Sequence, residues 1–324
     1  MARIAWRGFR VNGSTLMVSA FFAAWLSASL RLAGPVLVAA LGETFAEQSG
    51  ILNLGIEGTI LLGALASFLT SYRTGMIWTS LLVATLVGVA FSLFLAWMYI
   101  SVRASQVITG LIFNVFALGL ATTLYRLVLG NVAAPESIAV FQPLRVPLFG
   151  RIPIVGPVIF GQTAPFYLTL ALAVVAQLVL YRTSFGLALR ATGENPAAAD
   201  SAGISVHRMR YLGTLLSGAG AGMAGGYLVL AQVGLFRETI VAGQGFIALG
   251  IVIFGRWNPL KAALAALVFG GCDALQLSLQ IIGTKAPPQL WLALPYVVTI
   301  LGISGLFGNR AVPPAALMKP YVKA

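Results

Sequence analysis

The acidic inventory of the chain is eight carboxylates: Glu43, Glu47, Glu57, Glu136, Glu194, Asp200, Glu238 and Asp273. Only Glu57 and Asp273 fall clearly inside stretches apolar enough to cross a bilayer. There an ionisable group is costly, so it marks an ion path, a tie between helices or a span end. Asn53, Asn114, Gln244 and Gln276 lie in similar stretches and pair internally or line a wet route on the same argument. Phe246 and Trp291 offer flat faces that stack on a planar ligand or pack between helices. One cysteine, Cys272, and one histidine, His207, leave no internal disulfide and none of the usual Cys/His zinc sites. No H-E-x-x-H motif and no pair of carboxylates in one predicted span supports an intramembrane enzyme. The four lysines, Lys261, Lys285, Lys319 and Lys323, none of them after a glycine, exclude a P-loop. The chain is therefore not expected to hydrolyse ATP by that route or to need a cofactor of its own. Any active transport draws on a partner subunit or an ion gradient.

The stretch 183–210, TSFGLALRATGENPAAADSAGISVHRMR, carries a second kind of chemistry. Gly193, Glu194, Asn195 and Pro196 form a turn and helix-start signal, Ala197 to Ala202, with Ala198 and Asp200, are strongly helical, and Gly203 closes the piece as a C-cap. A short helix with no apolar stripe, exposed between two spans, suits docking into a cleft on another protein.

Lipid-crossing elements must position these groups. Of 324 residues 59% are apolar and 9% charged, with a mean hydropathy of +0.94, whereas soluble domains carry about 25% charged residues. A soluble enzyme is excluded, and unbroken apolar runs argue against a β-barrel. The runs fall at about 14–30, 33–42, 52–70, 76–102, 107–125, 164–181, 211–232, 239–255, 262–283 and 289–308. A crossing needs roughly 20 residues, so the second run crosses only by borrowing neighbours or as part of one long bent helix with the first. The reading is an all-α polytopic membrane protein of eight to ten spans, ten preferred, forming one domain over residues 1–324. With both termini cytoplasmic, 13 of the 20 basic residues lie inside and 7 outside, as the positive-inside rule asks. Residues 130–163 are then an extracytoplasmic loop and 183–210 the longest cytoplasmic one. The net charge of +12 is scattered through loops, which speaks for a membrane and against nucleic acid. The apolar pattern continues past Arg31, so the first segment is read as a span and not as a cleaved signal peptide. Ser217, Gly218, Gly220, Ala221, Gly222, Gly225 and Gly226 set small-xxx-small spacing for tight helix contact. Residues 50–63 and 245–255, two glycine-rich helix starts, point to an inverted repeat of two five-helix halves.

Two segments resemble a known family. LGETFAEQSGILNLGIEGTILLGA, residues 41–64, is similar to the signature of permease subunits of bacterial ABC importers in the simple-sugar and nucleoside branch, which groups with the branched-chain amino acid permeases. RATGENPAAADSAGISVHRMR, residues 190–210, is similar to that family's cytoplasmic coupling segment. The resemblance implies a bacterial inner-membrane permease subunit whose residues 193–204 dock on a separate ATPase subunit, with ATP used there. It further implies an extracytoplasmic substrate-binding lipoprotein and a second permease chain in a heterodimer. The form from Glu47 to Gly58 looks closest to nucleoside-type permeases. The competing reading is a self-contained secondary transporter driven by protons or sodium, with Glu57 and Asp273 as coupling groups.

Overall fold

The computed structural model describes residues 13–130, 137–144, 155–282, 290, 291, 293, 294, 297, 298 and 312–322, and among these it forms a bundle of eleven α-helices. They are α1 (Gly13–Gln48), α2 (Ile56–Thr74), α3 (Ile77–Ala96), α4 (Gln106–Leu129), α5 (Val155–Ile159), α6 (Ala164–Arg182), α7 (Ser184–Glu194), α8 (Pro196–Ser201), α9 (Val206–Tyr227), α10 (Gln244–Phe254) and α11 (Pro259–Ile282). α3 and α9 each end in a π-helical turn, Trp97–Ser101 and Leu228–Val233. Among the described residues six stretches are long and apolar enough to cross a membrane: Phe21–Gln48, Ile77–Ser101, Gln106–Leu129, Ala164–Arg182, Val206–Val233 and Pro259–Gln280. The chain is a multi-pass helical membrane protein. The basic residues at positions 3, 7 and 10 and most of the run at 289–308 lie outside the described residues.

The first two apolar runs are one helix, the second of the two arrangements open to them, and this takes one from the preferred count of ten. The two runs were separated at Arg31 and Leu32, yet α1 continues through these and through Gly34 and Pro35 without interruption. Gly34 lies under the Tyr227 ring, which would overlap any Cβ there, and a membrane bundle tolerates the one backbone bond that Pro35 removes. Every residue from Ala33 to Gly50 is buried. That explains how so short a run carries Glu43, Thr44, Glu47 and Gln48: it faces protein and not lipid.

α9 is the axis of the bundle, and 72% of its most apolar window is buried, against 22% for α4 at the periphery. It packs on α1, α2 and α3. The small-residue spacing supplies three seams, for a Cβ on Gly63 or on Gly88 would stand 2.7 Å from Gly222 Cα, and one on Gly220 would stand 3.0 Å from Gly42 Cα. Such contact forgoes side chains for backbone-to-backbone packing.

Two helices are entered from non-helical chain. After α1 the chain turns at Gly50 (φ +94°), continues without helix through Ile51, Leu52 and Asn53, and only then enters α2. After α9 it runs without helix from Gly234 to Gly243 before α10. At 1.5 Å per residue α10 is about 16 Å long, roughly half of a 30 Å hydrocarbon core. Its first residues meet the first turn of α2 through Glu57, and its end meets the end of α1 through Trp257. The two glycine-rich helices thus start beside one another and run apart.

Candidate functional site

The loop between α1 and α2 is held from three sides. The Asn53 amide N–H donates to Glu43 Oε1 (2.9 Å), its side-chain Nδ2 donates to Ser217 Oγ (3.0 Å), and the Ser217 hydroxyl donates to Glu43 Oε2 (2.6 Å). Asn53 Oδ1 accepts from the Gly55 N–H (3.2 Å) and the Tyr99 hydroxyl (3.4 Å). Asn53, Glu43 and Ser217 are all fully buried, so this is a closed polar network whose members satisfy one another. Asn114 on α4 ties the next turn. Its Oδ1 accepts from Gly58 N (2.8 Å) and its Nδ2 donates to Leu54 O (2.9 Å).

Glu57, in the first turn of α2, accepts from the backbone N–H of Gly243 (2.8 Å) and of Gly245 (2.7 Å), one bond to each carboxylate oxygen. The start of a helix leaves N–H groups unpaired and carries a partial positive charge, so a carboxylate is its natural partner. Glu57 therefore caps α10 from a neighbouring helix. Gln244 beside it is half-buried, and its Oε1 has no partner among the described residues. Phe246, two residues on, is 45% exposed. Asn53, Glu57, Asn114 and Gln244 are thus brought together where α2, α4 and α10 meet. Asp273 and Gln276 are not: both are half-buried on α11 and share no hydrogen bond with this network among the described residues.

Reading Glu57 and Asp273 as the only acids clearly within spans is corrected by α1. Glu43 and Glu47 stand four residues apart on it, 0% and 1% exposed, and form the pair of carboxylates on one helix that the sequence reading did not find. Glu47 Oε2 accepts from the Trp257 indole N–H (2.6 Å), and Gln48 Nε2 donates to Trp257 O (3.1 Å). Arg256 and Trp257 both hold positive φ, 51° and 54°, a backbone region that bulky residues rarely enter. The bonds to α1 hold that turn in place, so both ends of α10 are fixed by carboxylates of the α1–α2 unit.

The coupling stretch begins as a helix that was read as loop. α7 takes in Gly193 and Glu194, and a turn at Asn195 leads into α8. Asn195 Oδ1 accepts from Ala198 N (3.1 Å), Pro196 opens the first turn, and Gly203 (φ +83°) closes the helix, as the sequence signals require. Ala197 and Ala198 are exposed, Ala199 is buried and Asp200 is half-buried. A Cβ on Gly193 would overlap Gln48 O, which brings the coupling stretch into direct contact with the end of α1.

Against known proteins, the family model described as branched-chain amino acid transport system / permease component matches residues 13–303. The chain is 38% identical over 311 residues to the guanosine ABC transporter permease protein NupQ of Bacillus subtilis, covering 91% of this chain and 95% of that one. It is 38% identical over 301 residues to the nucleoside ABC transporter permease protein NupC of Lactococcus lactis, covering 90% and 94%. A putative glucose ABC transporter permease protein of Haloferax volcanii, TsgC13, is 34% identical over 327 residues, covering 93% and 98%. No solved structure matches.

Proposed function

Because the chain belongs to the family of branched-chain amino acid transport system permease components, and is thus the permease subunit of an ABC importer, we propose that it imports nucleosides. The two relatives at 38% identity named for guanosine and nucleoside transport support that substrate class over a sugar. In this reading α8 docks on a separate ATPase subunit that binds and hydrolyses ATP, a lipoprotein delivers substrate at the opposite end, and a second permease chain completes the path. The membrane is the bacterial inner membrane. The end of the bundle bearing α7, α8 and the end of α1 is then cytoplasmic. In this reading the start of α1 lies at the opposite, outer end.

The observation that carries the coupling part is the contact of Gly193 with Gln48, which joins the docking stretch to the loop that holds Asn53. The substrate route runs beside the facing starts of α2 and α10. There irregular backbone is tolerated because it lies against protein or a water-filled path, and Phe246 and Gln244 stand ready to meet a base and its polar edge. The ties of Asn53, Glu57 and Asn114 give these three a positioning role at the wall of the route. Membership of this family leaves the ion-coupled alternative without support.

The test is uptake of labelled guanosine into proteoliposomes holding the whole importer. ATP-dependent accumulation is expected, abolished by Ala198→Asp at the docking helix. Concentrative uptake by the chain alone under a proton or sodium gradient would overturn the reading.

A further inference from the structure

Residues 312–322 return to the coupling end of the bundle and bind there at four places. Ala316 N donates to Gly193 O (2.8 Å), Met318 N donates to Gly50 O (3.1 Å), and Ala315 N donates to Glu194 Oε2 (3.4 Å). Arg210, 2% exposed at the start of α9, donates from Nη1 to Lys319 O (3.0 Å). The Tyr321 ring stands edge-on to His207 at 6.2 Å, and its hydroxyl pairs with Asp200. One segment therefore bridges the last turn of α7, the end of α8, the start of α9 and the Gly50 turn. Pro314 and Ala316 are buried with the inward-turned backbone, while three apolar side chains stay open: Val312 is 82% exposed, Met318 43% and Val322 59%. The pairing of Tyr321 with Asp200 sets this segment against the end of α8, where Ala197, Ala198 and Ala202 are also exposed. Exposed apolar groups gathered at one end of a bundle, beside a docking helix, call for a protein partner.

We propose that the surface receiving the ATPase subunit is composite, built from α8 together with residues 312–322, and that Arg210 is the positioning residue that locks this segment to the coupling end. The proposal rests on α8 being the docking helix and adds a second contact to it. Arg210 is suited to the task because a buried guanidinium with its Nε and Nη2 otherwise unpartnered among the described residues is held by the segment it holds. A displacement of either half of the platform reaches the Gly50 turn, which leads to Asn53.

The test is purification of the whole importer through a tag on this chain, reading the ATPase retained per permease and the ATP hydrolysed per guanosine delivered. Met318→Asp places a charge on an exposed side chain and leaves the fold alone. It should lower retained ATPase by about tenfold, as for a charge set into an interface centre. Arg210→Met should raise the ATP used per guanosine and open the Tyr321–Val322 bond to chymotrypsin, and Arg210→Lys should restore part of both. Ala198→Asp separates the two readings. If it loses the ATPase while Met318→Asp retains it in full, the composite surface is overturned and the docking helix stands. If Ala198→Asp also retains it, the docking assignment itself falls. Full retention in Met318→Asp together with weaker attachment of the segment to liposome surfaces would assign these side chains to the lipid interface and overturn the proposal.

Discussion

Removing the Glu57 carboxylate separates a structural tie from a ligand contact. In Glu57→Ala the N–H groups of Gly243 and Gly245 lose their acceptors, at 2.8 and 2.7 Å, at the start of a helix whose other end is fixed to Trp257. Hydrogen bonds to a charged group contribute about 1.5–3 kcal/mol each, so loss of both is bounded at about 3–6 kcal/mol. Glu57 is half-buried, and water entering the vacated space offsets part of this, so about 2–4 kcal/mol is expected. At about 2–4 °C per kcal/mol the melting temperature falls by roughly 4–16 °C. Glu57→Gln should lose about half as much, because a carboxamide offers one acceptor oxygen and turns its NH2 toward the second N–H. The assay is thermal unfolding of the purified importer, paired with initial rates of guanosine uptake against concentration. The tie predicts a lower melting temperature with KM little changed. An unaltered melting temperature with KM raised about tenfold would refute the reasoning and make Glu57 a ligand acceptor.

At the α9 seam, Gly222→Ala puts a Cβ 2.9 Å from Gly88 Cα and should cost about 1–3 kcal/mol by overpacking, whereas Gly119→Ala, with nothing within 4 Å, should stay within about 0.5 kcal/mol; thermal unfolding checks both. Trp257→Phe leaves Glu47 Oε2 buried without its donor at a cost of about 3 kcal/mol, and Glu47→Gln in that background should recover part of it in a double-mutant cycle of unfolding free energies. Asn195→Ala removes the cap of α8, worth about 1 kcal/mol, and should raise the ATP spent per guanosine imported, while Asn195→Asp, an equally good cap, should not.

The local signals at α8 were fully legible: Asn195, Pro196 and Gly203 cap, open and close a helix by chemistry within three or four residues. The small residues of α9 announced close contact but not with what, since their partners at Gly42, Gly63 and Gly88 lie more than a hundred residues away. α1 divides into two runs in the sequence because the charge of Arg31 interrupts the apolar pattern, but Arg31 is exposed on a helix that continues past it. Glu43 and Glu47 stand in the sequence four residues apart, yet beside the Asn53 N–H the donors that make their burial tolerable are Ser217 and Trp257, both remote in the chain. Arg210 read as one more loop charge, because nothing local tells that residues 312–322 come back to cover it. Apart from α1, what could not be read is in each case a contact between distant segments.

The three backbone seams of α9 carry a mechanical consequence. Where Gly63, Gly88 and Gly42 meet Gly222 and Gly220, no side chain stands between the helices to change rotamer and absorb a shift, and close-packed interiors deform in discrete steps. The quartet of α1, α2, α3 and α9 is thereby a single stiff block. Opening a passage cannot consist of sliding these four past one another. It must come from tilting the block as a whole, or from movement of the thinly buried α4, the half-length α10 and the outer α6 around it, with the glycine seams as the fixed frame against which those parts swing.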